Sequence, residues 1–127
     1  MADILVIEDN PENMLLMKRW LGSMNCHTYA ASTGLEGVVS AQENQPSIIL
    51  LDINLPDIDG YEVVSQLKSS TATKNIPVIA ITSNAMRGDE DKAIKAGFDD
   101  YMAKPVSFTA LITKMSSLGV SVSYKAS

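Results

Sequence analysis

Short apolar runs alternate with amphipathic stretches five times along the chain, and this alternation carries the main architectural signal. The runs are Ile4 to Ile7, Thr28 to Ala31, Ile48 to Leu51, Val78 to Ile81 and Tyr101 to Ala103. Four of them lack the polar-out alternation of a half-exposed strand, so they read as strands covered on both faces, as in a parallel sheet. Helical patterns with start and stop signals lie between them. Asn10 caps a first helix with Pro11 in its opening turn and Gly22 near its end. Thr33 with Glu36 reads as a capping box ahead of Leu35, Val38 and Val39 on one face, closed by Pro46. Asp59 with Glu62 opens a third helix with Gly60, Val63, Val64 and Leu67 in one stripe. Ala85 to Ala96 is a poorer, charge-rich helix ended by Gly97, and Phe108, Leu111, Ile112, Met115 and Leu118 form the clearest stripe of all.

The resulting order, βαβαβαβαβα, predicts an α/β fold: an open five-stranded parallel sheet, doubly wound, with helices on both faces. The order of elements does not yield the order of strands within the sheet. Residues 119–127 are serine-rich and patternless and read as a C-terminal tail on a domain of residues 1–118.

The composition bounds the function. The chain has 127 residues, 46% of them hydrophobic and 20% charged, enough for one domain. A net charge of −5 has the wrong sign for holding nucleic acid or anionic lipid by bulk charge. The single cysteine, Cys26, excludes an internal disulfide framework and points to a reducing compartment, the cytoplasm. No apolar run approaches the roughly 20 residues of a membrane span, and the Met-Ala-Asp start lacks a basic signal-peptide head.

Ligands of open parallel sheets bind beyond the carboxyl ends of the strands. Those ends carry Glu8 and Asp9 after the first strand, Asp52 and Asn54 at the third, Thr82, Ser83 and Asn84 at the fourth, and Lys104 with Pro105 at the fifth. Ser32 and Thr33, after the second, are explained by the helix cap. Three converging carboxylates repel one another unless a cation intervenes. Mg2+ suits an all-oxygen site with one or two carboxylates and a phosphate oxygen. His27 and Cys26 are single and offer no transition-metal cluster. Asp52 is then a candidate nucleophile able to carry a phosphoryl group, with Lys104 balancing charge and the Thr82 hydroxyl donating to a phosphoryl oxygen.

This constellation resembles the receiver domain of bacterial two-component response regulators over essentially the whole chain to about Leu118. That family shows an acidic pair after the first strand, an acceptor aspartate after the third, Thr or Ser after the fourth and Lys-Pro after the fifth. The counterparts here are Glu8 and Asp9, Asp52 in the run Leu50-Leu51-Asp52-Ile53-Asn54-Leu55-Pro56, Thr82, and Lys104-Pro105. The spacings between them also resemble the family's. The resemblance implies a flavodoxin-like topology and a backbone carbonyl of Asn54 on the magnesium. It further implies a cis Lys104-Pro105 peptide, Tyr101 as an aromatic switch coupled to Thr82, and Gly60 as the glycine after the third-strand loop. It implies phosphoryl transfer from a phosphohistidine on a sensor histidine kinase or a histidine phosphotransfer protein. Asn54 and Asn84 would be the variable positions that set the lifetime of the phosphorylated state.

Met14, Leu15, Leu16 and Met17 fill a whole helical turn, so they cannot all face one sheet. With Trp20 one turn on, this first helix is a candidate docking surface for the phosphodonor, formed by Asn13, Leu16, Met17 and Trp20. Asp57 and Asp59 read as loop and cap acids, and His27 as structural. The expectation is a monomeric, stand-alone receiver acting through a downstream protein target.

Two other classes compete. An aspartate-nucleophile, Mg2+-dependent phosphatase would place a second carboxylic acid two residues after the nucleophile, where this chain has Asn54. A flavodoxin-like cofactor-binding protein would need a Ser/Thr/Gly-rich phosphate loop after the first strand, where two acids stand.

Overall fold

A computed structural model of the chain describes residues 2–83 and 88–120. Five strands, β1 (Asp3–Ile7), β2 (His27–Ala31), β3 (Ile48–Asp52), β4 (Val78–Thr82) and β5 (Asp100–Ala103), alternate with five helices. The helices are α1 (Pro11–Ser23), α2 (Gly34–Asn44), α3 (Gly60–Ser69), α4 (Asp89–Ala96) and α5 (Phe108–Ser117). All strands pair in parallel, in the order β2-β1-β3-β4-β5. The strand order reverses between β1 and β3, which opens a crevice at their carboxyl ends.

Each central strand divides its side chains between two cores, as the period of two requires. Leu5, Ile7, Ile49, Leu51, Val78 and Ala80 face α2, α3 and α4. Ile4, Val6, Ile48, Leu50, Ile79 and Ile81 face α1 and α5. β3 and β4 are buried at every position, which explains their unbroken apolar runs. Burying each of their Val, Leu and Ile side chains stabilises the fold by about 1.5–3 kcal/mol.

The helix ends follow local chemistry. The Asn10 side chain accepts from the Glu12 and Asn13 N–H groups at 2.9 and 3.0 Å. Asp59 accepts from the Glu62 N–H at 3.0 Å and Ser107 from the Ala110 N–H at 3.3 Å. Gly22 is the next-to-last residue of α1, as expected, and the chain leaves the helix through Asn25 at φ 60°, a residue type that tolerates the left-handed region. α4 begins at Asp89 after Gly88 at φ 91°, and the expected first turn, residues 85–87, lies outside the described residues.

Two expectations are corrected by packing. In α2 the buried face is Gly34, Gly37, Val38 and Ala41, while Leu35 and Val39 point outward. The cause is close approach on the glycine side. A Cβ on Gly34 would lie 2.7 Å from both Ile58 Cγ1 and Val63 Cγ2, and one on Gly37 would collide with Ile7 Cδ1. The second correction is at the C-terminus. Val120, placed in the tail by its serine-rich setting, is buried in the core between α1 and α5, and its N–H donates to Met115 O at 2.9 Å. Residues 121–127 lie outside the described residues.

Candidate functional site

The carboxyl ends of β1 and β3 bring together the acids that sequence places far apart. Carboxylate oxygens of Glu8, Asp9 and Asp52 lie within 4.8 Å of one another. Glu8 and Asp52 are buried at 6% and 4% exposure, while Asp9 is exposed. Lys104, delivered by β5, bridges the buried two: its Nζ lies 2.8 Å from Glu8 Oε1 and 3.1 Å from Asp52 Oδ2. The other oxygens are also engaged. Asn54 N–H donates to Asp52 Oδ1 at 3.0 Å, and Asn10 N–H donates to Glu8 Oε2 at 3.3 Å.

These contacts decide the charge state of the lysine. Burial acts to lower the Lys104 pKa, but hydrogen bonds and charge from Glu8 and Asp52 outweigh it, and the ammonium titrates above the ordinary lysine value. Lys104 is therefore a fixed cation. Among the described residues, three carboxylates against this one ammonium leave an excess of two formal negative charges, the charge of a divalent ion. The donors are all oxygen, which suits a hard cation such as Mg2+. The chemistry of the donor set thus fits that metal.

Thr82 closes β4 one residue beyond Ile81, which sits opposite Asp52 in the ladder. It is 4% exposed, and its carbonyl accepts from the Lys104 N–H at 2.8 Å. The Lys104–Pro105 peptide is cis. Asn54 turns its side-chain amide to Ser83 Oγ at 3.3 Å, and Asn84 lies outside the described residues.

Tyr101 lies on the far side of Thr82. The two residues line one cavity with Ile53, Asn54, Tyr61 and Asp89. The Tyr101 hydroxyl is buried and has no hydrogen-bond partner among the described residues. Burial, followed by the negative charge of Asp89, pushes its pKa above the ordinary tyrosine value. Tyr61 and Asp89 were not legible as neighbours of Tyr101, because only the packing of α3 and α4 over β5 brings them there.

A second cavity, of 110 Å³, opens on the opposite side of Asp52. Asn13, Leu16 and Trp20 of α1 line it, with Lys104, Pro105 and Val106 across from them. Leu16 is exposed and Trp20 half-buried, its ring 5.4 Å from that of Phe108. Met17 is 5% exposed and lies in the floor of this cavity, so its contribution to the outer face of α1 is small. That is the geometry of a helix with apolar groups on all sides: Met17 turns to the sheet, and Leu15 and Leu16 remain outside.

Asp57 has a role that a loop acid does not suggest. Its two carboxylate oxygens accept from the Gly34 and Leu35 N–H groups at 2.8 and 3.0 Å, capping α2 from the loop after β3. No local pattern signals a cap supplied from so distant a position. At the base of the same loop, Gly60 N–H donates to Ile53 O at 2.8 Å.

Comparison with known proteins agrees with this arrangement. The sequence model of the response regulator receiver domain matches residues 4–116. The polar-differentiation response regulator DivK of Brucella ovis is 37% identical over 114 residues, which cover 90% of this chain and 93% of that protein. Among solved structures, the receiver domain of the sensor histidine kinase PA1611 from Pseudomonas aeruginosa PAO1 is 32% identical. It superposes with a TM-score of 0.85 over 93% of this chain and 98% of its own, and it carries a magnesium ion coordinated in its active site cleft. The receiver domain of a signal transduction histidine kinase from Syntrophus aciditrophicus is 28% identical, with a TM-score of 0.84 over 93% and 89% of the two chains. With its parallel five-stranded sheet and the acid cluster at the β1/β3 crevice, this chain belongs to the response regulator receiver domain family.

Proposed function

We propose that Asp52 is the phosphoacceptor of a signalling receiver and that Glu8, Asp9, Asp52 and the backbone carbonyl of Asn54 hold Mg2+ beside it. The observation that carries this reading is the buried Asp52 carboxylate, held by Lys104 and the Asn54 N–H, with Glu8 and Asp9 oxygens within 4.8 Å. When bound, the metal supplies charge neutralisation to the transferring phosphoryl group.

The chain's own residues do the rest. An Asp52 carboxylate oxygen attacks phosphorus; the new O–P bond forms as the N–P bond of the donor phosphohistidine breaks, and the imidazole nitrogen leaves with the electron pair. Lys104, already cationic, balances charge on the phosphoryl oxygens. The Thr82 hydroxyl donates to one of them. Water later cleaves the phosphoryl group as inorganic phosphate and restores the carboxylate.

Phosphorylation adds about −1.5 to −2 charge and new acceptors at Asp52. Thr82 moves toward that charge, and Tyr101, whose hydroxyl has no hydrogen-bond partner among the described residues, turns in the cavity the two share. The surface of α4, β5 and α5 changes with it and signals to a protein target. Upstream, a sensor histidine kinase or histidine phosphotransfer protein docks over α1 at Asn13, Leu16 and Trp20, with an apolar group entering the cavity floored by Met17. The buried, unpaired thiol of Cys26 suits a reducing cytoplasm.

The phosphatase alternative is disfavoured because the Asn54 amide does not titrate and can neither give up nor take a proton as a general acid or base. The cofactor-binding alternative is disfavoured because Glu8 and Asp9 repel a phosphate-bearing cofactor. The deciding experiment treats the purified chain with a small phosphodonor and Mg2+ and follows its intact mass. The expected result is a gain of one phosphoryl group that Asp52→Asn abolishes. An unchanged gain in that variant, or steady turnover of a phosphomonoester, would overturn the reading.

A further inference from the structure

The outer edge of β2 and the exposed side of α2 form a shallow groove that contains none of the residues of the acidic cleft. Among the described residues, β2 ends the sheet and pairs only with β1. His27 N–H donates to Ala2 O, and Ala31 O accepts from Glu8 N–H. By the alternation of a parallel ladder, Thr28 and Ala30 therefore turn their backbone N–H and C=O groups outward. Leu35 and Val39, one helical turn apart on α2, flank this edge and are 55% and 50% exposed. They face outward because the opposite side of α2 makes the close contacts, Gly37 against Ile7 of the sheet and Gly34 against Ile58 and Val63 of the neighbouring loop and α3. Glu36 and Glu43 border the same groove, and among the described residues no lysine or arginine lines it.

These features select an occupant. A free strand edge templates an extended segment rather than a helix, and its main-chain groups supply the hydrogen bonds. Two glutamates in a chain of net charge −5 repel a second acidic copy and attract a cationic segment. We propose that this groove is a docking site for an extended, lysine-bearing peptide segment of a partner protein. The segment adds to β2 as a sixth strand, lays alternate apolar side chains on Leu35 and Val39, and pairs its lysines with Glu36 and Glu43. The site goes beyond the phosphoacceptor reading and does not depend on it.

The test titrates the isotope-labelled full chain with a capped heptapeptide of alternating lysine and valine, and with its glutamate-for-lysine counterpart, followed by amide NMR shifts. The expected result is saturable binding with the largest shifts at Thr28, Ala30 and Leu35, and at least roughly tenfold weaker binding of the glutamate peptide. The double variant Leu35→Lys/Val39→Lys alters only exposed positions, and it is expected to weaken the lysine peptide by about tenfold or more. Ala30→Pro removes one outward N–H from an edge strand, where proline is tolerated, and is expected to act likewise. Both variants should still accept a phosphoryl group from a small donor. Lack of saturable binding, equal binding of the two peptides, shifts centred on the α1 cleft, insensitivity to the variants, or dimerisation through β2 without peptide would each overturn the proposal.

Discussion

The Lys104 ammonium lies 3.1 Å from Asp52 Oδ2 and 2.8 Å from Glu8 Oε1, joining the ends of β1, β3 and β5 in one charge cluster. Removing it leaves buried carboxylates facing one another without a counter-charge. Lys104→Ala is expected to destabilise the fold by about 2 kcal/mol in divalent-free buffer, measured by urea denaturation. The same variant should bind Mg2+ more tightly, because a competing cation is gone, and titration with the Trp20 fluorescence as readout checks this. Weaker magnesium binding in the variant would contradict the electrostatic argument.

The Asp57 cap on α2 gives a pH dependence of definite sign. The Gly34 and Leu35 N–H groups hold its carboxyl below the usual carboxylate range. A depressed folded-state pKa contributes stability that is present above the unfolded value, near about 3.9, and is lost as pH falls through the lower folded value. Below about pH 4, the protection of the Gly34 and Leu35 amides against exchange, taken relative to the unfolded chain at the same pH, should fall. In Asp57→Asn that protection should already be lower at neutral pH and respond less to acid, as hydrogen-exchange NMR can show.

Tyr101→Phe deletes a buried hydroxyl that has no partner among the described residues. Since no hydrogen bond is lost, stability should rise by about 1 kcal/mol, a few degrees in the thermal midpoint. A lower midpoint would mean that the hydroxyl is bonded. Phosphoryl acceptance should persist, whereas the response of a target to phosphorylation should weaken.

One substitution type should act with opposite signs at two glycines. A Cβ at Gly60 would lie 2.6 Å from Ile53 Cα and 3.3 Å from Asp52 O. Gly60→Ala is therefore expected to cost about 2 kcal/mol and to slow phosphoryl acceptance by shifting the Asp52 backbone. Gly22, inside α1, has nothing within 4 Å of its Cβ position, so Gly22→Ala should stabilise by about 0.5–1 kcal/mol. Denaturation curves of the two variants, run together, make the comparison.

The reach of sequence reasoning varied with the range of the interactions. β3 and β4 announced themselves because burial on both faces imposes an unbroken apolar run. The caps at Asn10, Thr33 and Asp59 were visible because a cap is a contact between residues two or three positions apart. The strand-end rule located Glu8, Asp9, Asp52, Thr82 and Lys104, since a parallel sheet carries all its carboxyl ends to one side. Leu35 and Val39 misled, because hydrophobicity marks the preferred face of a helix only where bulk makes the contact. In α2, Gly34 and Gly37 make it instead.

The amino-acid order by itself determined the five βα units and the types of side chain at their junctions, because local periodicity and capping need no distant partner. Tertiary structure decided the order β2-β1-β3-β4-β5, the bridge of Lys104 between Glu8 and Asp52, the Asp57 cap on α2 and the open edge of β2. Each of these is a meeting of residues remote in the chain, favoured by burial of apolar surface and by hydrogen-bond or ionic partners for the polar groups brought inside.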